Sequence, residues 1–249
     1  MTRVRWLRAV AVIGATALLL AASCSWQLGQ FIPDGVPPPA GDVVPQIDTH
    51  ARGRPADQLH EWAAERAPRL GIPATALEAY AYAARVADVE NPGCHLKWTT
   101  LAGIGQVESH HGTYRGARVA TNGDVAPPIR GVLLDGSGGN LQILDQDSVS
   151  HDPAVENKGD QSFARAMGPM QFIPETWRLY GVDANNDGKI SADNIDDAAL
   201  SAAGYLCWSG KDLQTPRGWM EALRAYNHSD AYARTVRDWA TAYAAGHPL

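Results

Sequence analysis

Glu108 lies in the stretch "GIGQVESHHG", residues 103–112, among apolar and small residues. On a helix turning about 100° per residue, Leu101, Ala102, Ile104, Gly105 and Val107 share one broad face, with Glu108 near its middle. A carboxylic acid in apolar surroundings resists ionising, because lost solvation penalises the charged form. Its pKa rises, and it becomes a usable general acid near neutral pH. The alternative is a helix-end glutamate that turns to solvent past Gly112 or pairs with an arginine. His110 and His111 follow at once, but adjacent helical residues diverge by about 100° and the HExxH spacing is absent. The pair does not read as a zinc site.

Three further stretches carry polar groups suited to a ligand. In "ARAMGPMQFIPETW", residues 164–177, Gly168 and Pro169 shape a turn, while Met170, Phe172 and Trp177 supply apolar and aromatic surface. Gln171 offers a donor and an acceptor on one side chain, which suits a sugar N-acetyl or hydroxyl group. A turn that packs its own aromatics is the other reading. In "RAYNHSDAY", residues 224–232, Tyr226 and Asn227 can line a cleft from its far side, although helical tyrosines are mostly core.

The third is "DANNDGKISADNIDD", residues 183–197. Asp183, Asn185, Asp187 and Gly188 match the opening of a calcium loop, with Lys189 giving its backbone carbonyl. A 12-residue loop would end at Asn194, which is not an acid; a longer 15-residue loop ends at Asp197. A solvated acidic turn followed by an Asp cap is the alternative.

Helices must position these groups. "ADQLHEWAAERAPRL" and "PATALEAYAYAARVADVE" have helical periodicity and strong helix formers, with Pro73 in a first-turn position. "NPGC" breaks the chain, and "HLKWTTLAGIGQVESHHG" forms a helix stopped by Gly112. Helices return in "DDAALSAAGYLCW", "PRGWMEALRAYN" and "DAYARTVRDWATAYAAG". Between them, residues 113–161 hold an Asn-Gly turn signal and two short apolar runs around "DGSGG", which read as a small hairpin or irregular lobe. The fold class is mainly α, with one loop-rich excursion and no internal repeat.

The first 24 residues stand apart. Arg3, Arg5 and Arg8 precede the uncharged run "AVAVIGATALLLAAS", the layout of an export signal. That run is shorter than the ~20 residues that span a bilayer, although counting on through Trp26 and Leu28 would make an uncleaved anchor. Residues 25–56 include "IPDGVPPPAGDVVP" and read as a proline-rich tether, leaving 57–249 as the folded domain. Without residues 1–23 the chain has 18 basic and 27 acidic side chains, a net charge of −9, which excludes a general nucleic-acid binder. Setting Cys24 aside, Cys94 and Cys207 are an even pair in an oxidising compartment and read as a disulfide rather than two buried thiols.

"HLKWTTLAGIGQVESHHG", "ARAMGPMQFIPETW", "DANNDGKI…DDAALSAAGYLC" and "AYNHS", in this order, resemble secreted lytic murein transglycosylases. The resemblance is to the membrane-bound lytic transglycosylase B-like branch, of actinobacterial type, over about residues 90–240. It implies a lysozyme-like helical fold and non-hydrolytic cleavage of the MurNAc–GlcNAc bond of peptidoglycan, leaving a 1,6-anhydro sugar. Glu108 then matches the single catalytic acid. Met170 and Gln171 match the "GPMQF" wall of the cleft, Ser162 a cleft serine, and Tyr226 and Asn227 the "YN" pair facing the acid. Asp183, Asn185, Asp187, Lys189 and Asp197 match a calcium loop of the longer type, so a structural calcium is the one cofactor implied. Cys94 and Cys207 match a cysteine pair of the actinobacterial members. Cys24, after "AAS", resembles a lipoprotein lipidation site, although Ala21 stands where Leu is usual. The implied setting is the cell envelope, with glycan strands as partner and a possible membrane anchor. Rival readings are a hydrolase of the same fold, a non-catalytic wall-binding protein and a calcium-responsive adhesion protein.

Overall fold

The alanine-rich patterns before residue 110 become a short 3₁₀ turn, Pro55–Leu59, and three helices: α1 (His60–Leu70), α2 (Ala74–Glu90) and α3 (Trp98–Ser109). The computed structural model describes residues 36–137, 142–144, 157–158 and 161–249, with the backbone alone at 157, 158, 161 and 162. The expected export signal and Cys24 lie outside the described residues. Four helices follow: α4 (Pro174–Tyr180), α5 (Ile195–Gly210), α6 (Pro216–Tyr226) and α7 (Asp230–Ala245). This mainly helical architecture bears out the expected fold class. Among the described residues no helix is long and apolar enough to cross a membrane.

Local chemistry sets the helix ends. Gly71 takes a left-handed φ of 66° and stops α1, while Pro73 is the extended N-cap of α2 rather than a first-turn residue. The side chains of Asn194, Thr215 and Ser229 accept N–H bonds at the starts of α5, α6 and α7. Helix α3 ends before Gly112. His110, at φ 50°, donates its N–H to Gln106 O, the bond of an αL cap, and His111 donates to Gly105 O.

Helix α3 runs through the interior. It packs chiefly on α7, and also on α2 and α5. Every residue from Trp98 to Gly105 is buried, so its apolar face extends all round rather than forming one stripe. Close approach depends on two glycines. A Cβ at Gly103 would lie 2.6 Å from Val236 O of α7, and one at Gly105 would lie 2.0 Å from the Tyr80 hydroxyl of α2.

The excursion contains three antiparallel strand pairs. β1 (Arg118–Val119) and β2 (Val125–Ala126) flank the expected Asn122-Gly123 turn. β3 (Arg130–Leu133) pairs with β6 (Arg165–Met167), and β4 (Asn157–Lys158) with β5 (Gln161–Ser162). The two apolar runs around "DGSGG" do meet, through Ile143 N–H to Leu134 O at 2.9 Å, but they are not a self-contained hairpin. Leu134 N–H also donates to Ala164 O, and Ala164 N–H to Ile143 O, so a third segment supplies the missing partners.

The tether reading of residues 25–56 fails for its described part. Residues 36–54 are irregular, as their prolines require, yet they are fastened to the helices, and residues 34–249 form one unit. Trp62 Nε1 donates to Val43 O at 3.0 Å, Trp98 Nε1 to Asp42 O at 2.9 Å, and Tyr82 Oη to Thr49 O at 3.1 Å. A segment poor in N–H donors still offers carbonyls, and these satisfy aromatic donors that helix packing has buried. Arg54 closes the strap. Its guanidinium holds Asp196 at 2.7 and 2.9 Å, Glu78 by a short contact, and Thr75 O at 3.2 Å.

Cys94 and Cys207 form a disulfide with a Cα separation of 5.3 Å, tying the approach to α3 to the last turn of α5. The bond spans 113 positions of sequence. Loop-closure entropy then assigns it about 4–5 kcal/mol. Denaturant unfolding of a Cys94→Ala/Cys207→Ala chain should show a loss of that order; a loss below about 1 kcal/mol would mean the helices alone hold this junction.

Candidate active site

Glu108 is the penultimate residue of α3, half-buried at one end of a cleft of about 680 Å³. Gln171, Phe172, Tyr205, Tyr226 and Asn227 also line this cleft. Among its described lining residues Glu108 is the only carboxylate. Burial pushes its pKa up from 4.5 to about 7, and a hydrogen bond from Tyr232 offsets part of that rise. Tyr232 Oη, on the first turn of α7, donates to Glu108 Oε1 at 2.6 Å. With Oε1 accepting that bond, the other oxygen is the one free to carry a proton into the cleft.

The cleft environment comes from α6 and α7. The Tyr226 and Tyr232 rings stack with centroids 6.5 Å apart and planes within 7°. Burial, then the neighbouring Glu108 charge, raises both phenols well above their ordinary range, so they stay neutral donors. Tyr226 does not bond the acid. Its hydroxyl donates to Met170 O at 2.7 Å. Asn227 follows the last residue of α6 and is exposed in the cleft, its side-chain oxygen accepting the Ser229 N–H at 3.1 Å.

The "GPMQ" turn is clamped between Met167 and Phe172, whose backbones exchange bonds of 2.8 and 3.0 Å. Gly168 takes φ 72°, and a Cβ there would lie 1.7 Å from Ala192 O. Gln171 also adopts a positive φ, 50°, and its amide nitrogen donates to Gly168 O at 2.7 Å. A non-glycine residue held in that region marks a position the surroundings over-determine. Ser109, the neighbour of Glu108, joins the turn to α3: its hydroxyl donates to Pro169 O at 2.6 Å and accepts Gly112 N–H at 2.8 Å.

Met170 corrects one expectation. Its side chain is fully buried under the cleft instead of forming its wall, because the turn directs it into the core and exposes Gln171. Ser162 lies on β5, and its side chain is outside the described residues. Tyr232 was overlooked in the sequence although it ends the quoted "RAYNHSDAY" stretch; its role depends on how α7 lies against α3. His111 is a core strut. It is buried between Tyr80 Oη at 3.2 Å and Tyr243 Oη at 2.8 Å, and burial pushes its pKa down to about 3. His110 faces outward against the Tyr114 ring, so the two imidazoles diverge.

The acidic loop has an ordered turn. Asp183 accepts the N–H groups of Asp187 and Gly188, and Asp187 accepts that of Lys189. Asp197 accepts Ala184 N–H at 2.8 Å and Ser191 N–H at 2.9 Å. Burial, with the Asp183 charge adding to it, raises Asp197 to about 6 against those bonds. Asn194 is the cap of α5 and also donates to Asn122 O and Asp124 in the β1–β2 turn. Among the described residues no three Asp, Glu, His or Cys side chains converge as a ligand set. A cation here would therefore depend on Asn185 and the Lys189 carbonyl as well.

No curated protein and no solved structure matches the chain. Residues 140–220 match the family model described as "Transglycosylase SLT domain". The matched span contains the "GPMQ" turn, the acidic loop and α5, while Glu108 and the Tyr226–Tyr232 segment lie outside it. The match covers about a third of the chain and makes that segment similar to a lytic transglycosylase domain.

Proposed function

We propose that the protein is an exported lytic transglycosylase of the membrane-bound lytic transglycosylase B-like branch, actinobacterial type, in which Glu108 serves first as acid and then as base. The observation that carries this reading is a single carboxylate among the described residues of the cleft, with its pKa near 7. Most glycosidases use two carboxylates. One suffices when the substrate supplies the nucleophile.

In the first step protonated Glu108 gives its proton to the glycosidic oxygen, and the bond from that oxygen to the MurNAc anomeric carbon breaks. The MurNAc N-acetyl oxygen stabilises the positive charge left on that carbon. In the second step the Glu108 carboxylate takes the proton from the same sugar's 6-hydroxyl, whose oxygen bonds to the anomeric carbon. The acid is regenerated, no water is consumed, and the product ends in 1,6-anhydro-MurNAc. Holding the hydroxyl on the reacting ring gives it a large effective concentration. Tyr232 fixes the carboxyl orientation from behind. Gln171 and Asn227, with Ser162, supply amide and hydroxyl groups for the N-acetyl group and ring.

The rest of the reading concerns setting. The basic start and apolar run export the chain, Cys24 carries the lipid when the protein is anchored, and the working place is the cell envelope. Calcium, where bound, sits in the acidic loop on Asp183, Asn185, Asp187 and Asp197 and the Lys189 carbonyl. It neutralises the repulsion between Asp183 and Asp197 and stiffens the start of α5.

Glu108→Gln keeps the shape and loses the transferable proton. Turnover of purified peptidoglycan should fall by about 10²–10⁴-fold, and near-normal release would remove Glu108 from the mechanism. Wild-type products should be one water lighter than reducing-end sugars by mass spectrometry; reducing ends would indicate a hydrolase of the same fold.

The raised pKa also has a signature independent of turnover. Between the unfolded value of 4.5 and about 7 the folded state binds more protons at Glu108, so the stability this group contributes is lost as pH rises through that window. Glu108→Gln lacks the loss. Its stability relative to wild type should grow from pH 4 to pH 8 by up to about 3 kcal/mol in urea titrations. A pH-independent difference would mean the carboxyl is solvated.

For the loop, saturating calcium should raise Tm by several degrees over chelator, because an ion that binds only the folded state stabilises it. Asp183→Asn should abolish the shift; an unchanged wild-type Tm would leave the loop a hydrogen-bonded turn.

A further inference from the structure

A second cavity, of about 890 Å³, meets the cleft at one aromatic pair: Tyr205 lines the cleft, Tyr180 lines the second cavity, and their ring centroids are 4.9 Å apart. Rings run unbroken across that junction. From Tyr232, which bonds Glu108, the steps are 6.5 Å to Tyr226, 6.1 Å to Tyr205, 4.9 Å to Tyr180 and 6.0 Å to Trp208. At the far end Trp208 is 61% exposed and its neighbour Leu179 is 70% exposed. Lys211 Nζ lies 5.3 Å from the Trp208 ring centroid, which steadies the ring without covering it.

The floor carries a second, independent feature. Gly204 sits in the interior of α5, where glycine is unfavourable relative to alanine. Packing does not require it, since a Cβ there would meet nothing within 4 Å. Leu200, Gly204 and Trp208 form one row at four-residue spacing, and all three line the cavity. Helical side chains lean toward the N-terminus, so Trp208 leans toward the gap that Gly204 leaves. The consequence of the missing side chain is open space beside an exposed indole.

We propose that this cavity is a distal saccharide subsite, taking β-1,4-linked amino-sugar units of the strand whose scissile bond lies at Glu108; the proposal rests on the peptidoglycan reading above. The C–H faces of sugars pack on aromatic rings, and the exposed Trp208 indole offers such a face in the cavity. The rim sets two carboxylates, Glu90 and Asp183, against one ammonium, Lys211, which disfavours carboxylate-bearing stem peptides.

The test uses the full chain in the Glu108→Gln background, so that ligands survive, and titration calorimetry with peptide-free glycan tetrasaccharides and dodecasaccharides. The parent should bind the longer strand more tightly. Adding Trp208→Ala should weaken dodecasaccharide binding about tenfold and leave the tetrasaccharide unchanged. Adding Gly204→Gln should do the same while raising Tm, because it improves helix propensity as it fills the floor. Parental binding of both lengths by both variants, or equal weakening of both, overturns the subsite while the peptidoglycan reading stands. With stem-bearing dodecasaccharides titrated as a third ligand, a loss confined to them replaces it with a peptide site. Failure of the parent to bind either glycan ends both readings.

Discussion

The last turn of α3 carries a half-buried carboxylic acid at the edge of a cleft. Two effects compete for its proton. Burial disfavours the carboxylate, and the Tyr232 hydroxyl, 2.6 Å away, favours it. Burial wins, since the pKa settles near 7 rather than below the ordinary 4.5. Much of the surrounding architecture serves that balance. The two glycines of "GIG" let α7 and Tyr80 close on α3. The left-handed cap at His110 turns the chain away immediately after Ser109. His111 then occupies the core as a neutral strut, and its burial helps keep charge and water away from the acid's own helix.

The acid is useful only if the opposite wall stays in register with it, and that wall comes from distant sequence. Ser109 ties α3 to the "GPMQ" turn, and Tyr226 ties the same turn to α6 through Met170 O. Gly168 seats the turn against Ala192, beside the acidic loop, whose Asn194 caps α5. Behind α5, Arg54 holds Asp196 and Glu78, and Cys207 is bonded to Cys94. Removing one partner from such a buried ionic cluster costs roughly 3–5 kcal/mol, because the remaining charges are left unpaired. The residues 36–54 are thus part of the frame that supports the cleft, not only a leash for it.

What could be read from sequence follows from how local each feature is. The Glu108 environment was legible because Leu101, Ile104, Gly105 and Val107 put apolar or small groups on its side of α3 over successive turns, and the Asn122-Gly123 hairpin because its turn chemistry is contained in two residues. The helices were legible for the same reason, with errors at their ends: Pro73 and His110 took cap positions that only the backbone path reveals. Tyr232, Ser109 and the buried setting of Met170 were not legible, since each depends on which segments meet. The strap was misread for a physical cause. Proline content rules out regular structure, but it does not rule out carbonyls that Trp62, Trp98 and Tyr82 can reach.

The proposed reaction, run by one carboxylic acid, places unusual demands on binding. The same group must lie within reach of the glycosidic oxygen and then of the 6-hydroxyl, so the reacting ring has to be held while its substituents change places. Contacts near the acid are few: Gln171 and Asn227 present amides, and Tyr226 and Tyr232 are committed to Met170 and Glu108. Binding energy realised away from the scissile bond can supply the remaining restraint, provided it is expressed at the reacting ring. A rigid aromatic strip does this better than loops would, because its rings are carried on α4, α5, α6 and α7, helices already fixed by the core. On this view the burial that keeps Glu108 protonated and the exposure of Trp208 at the far end of the strip are two ends of one device for holding a glycan strand still.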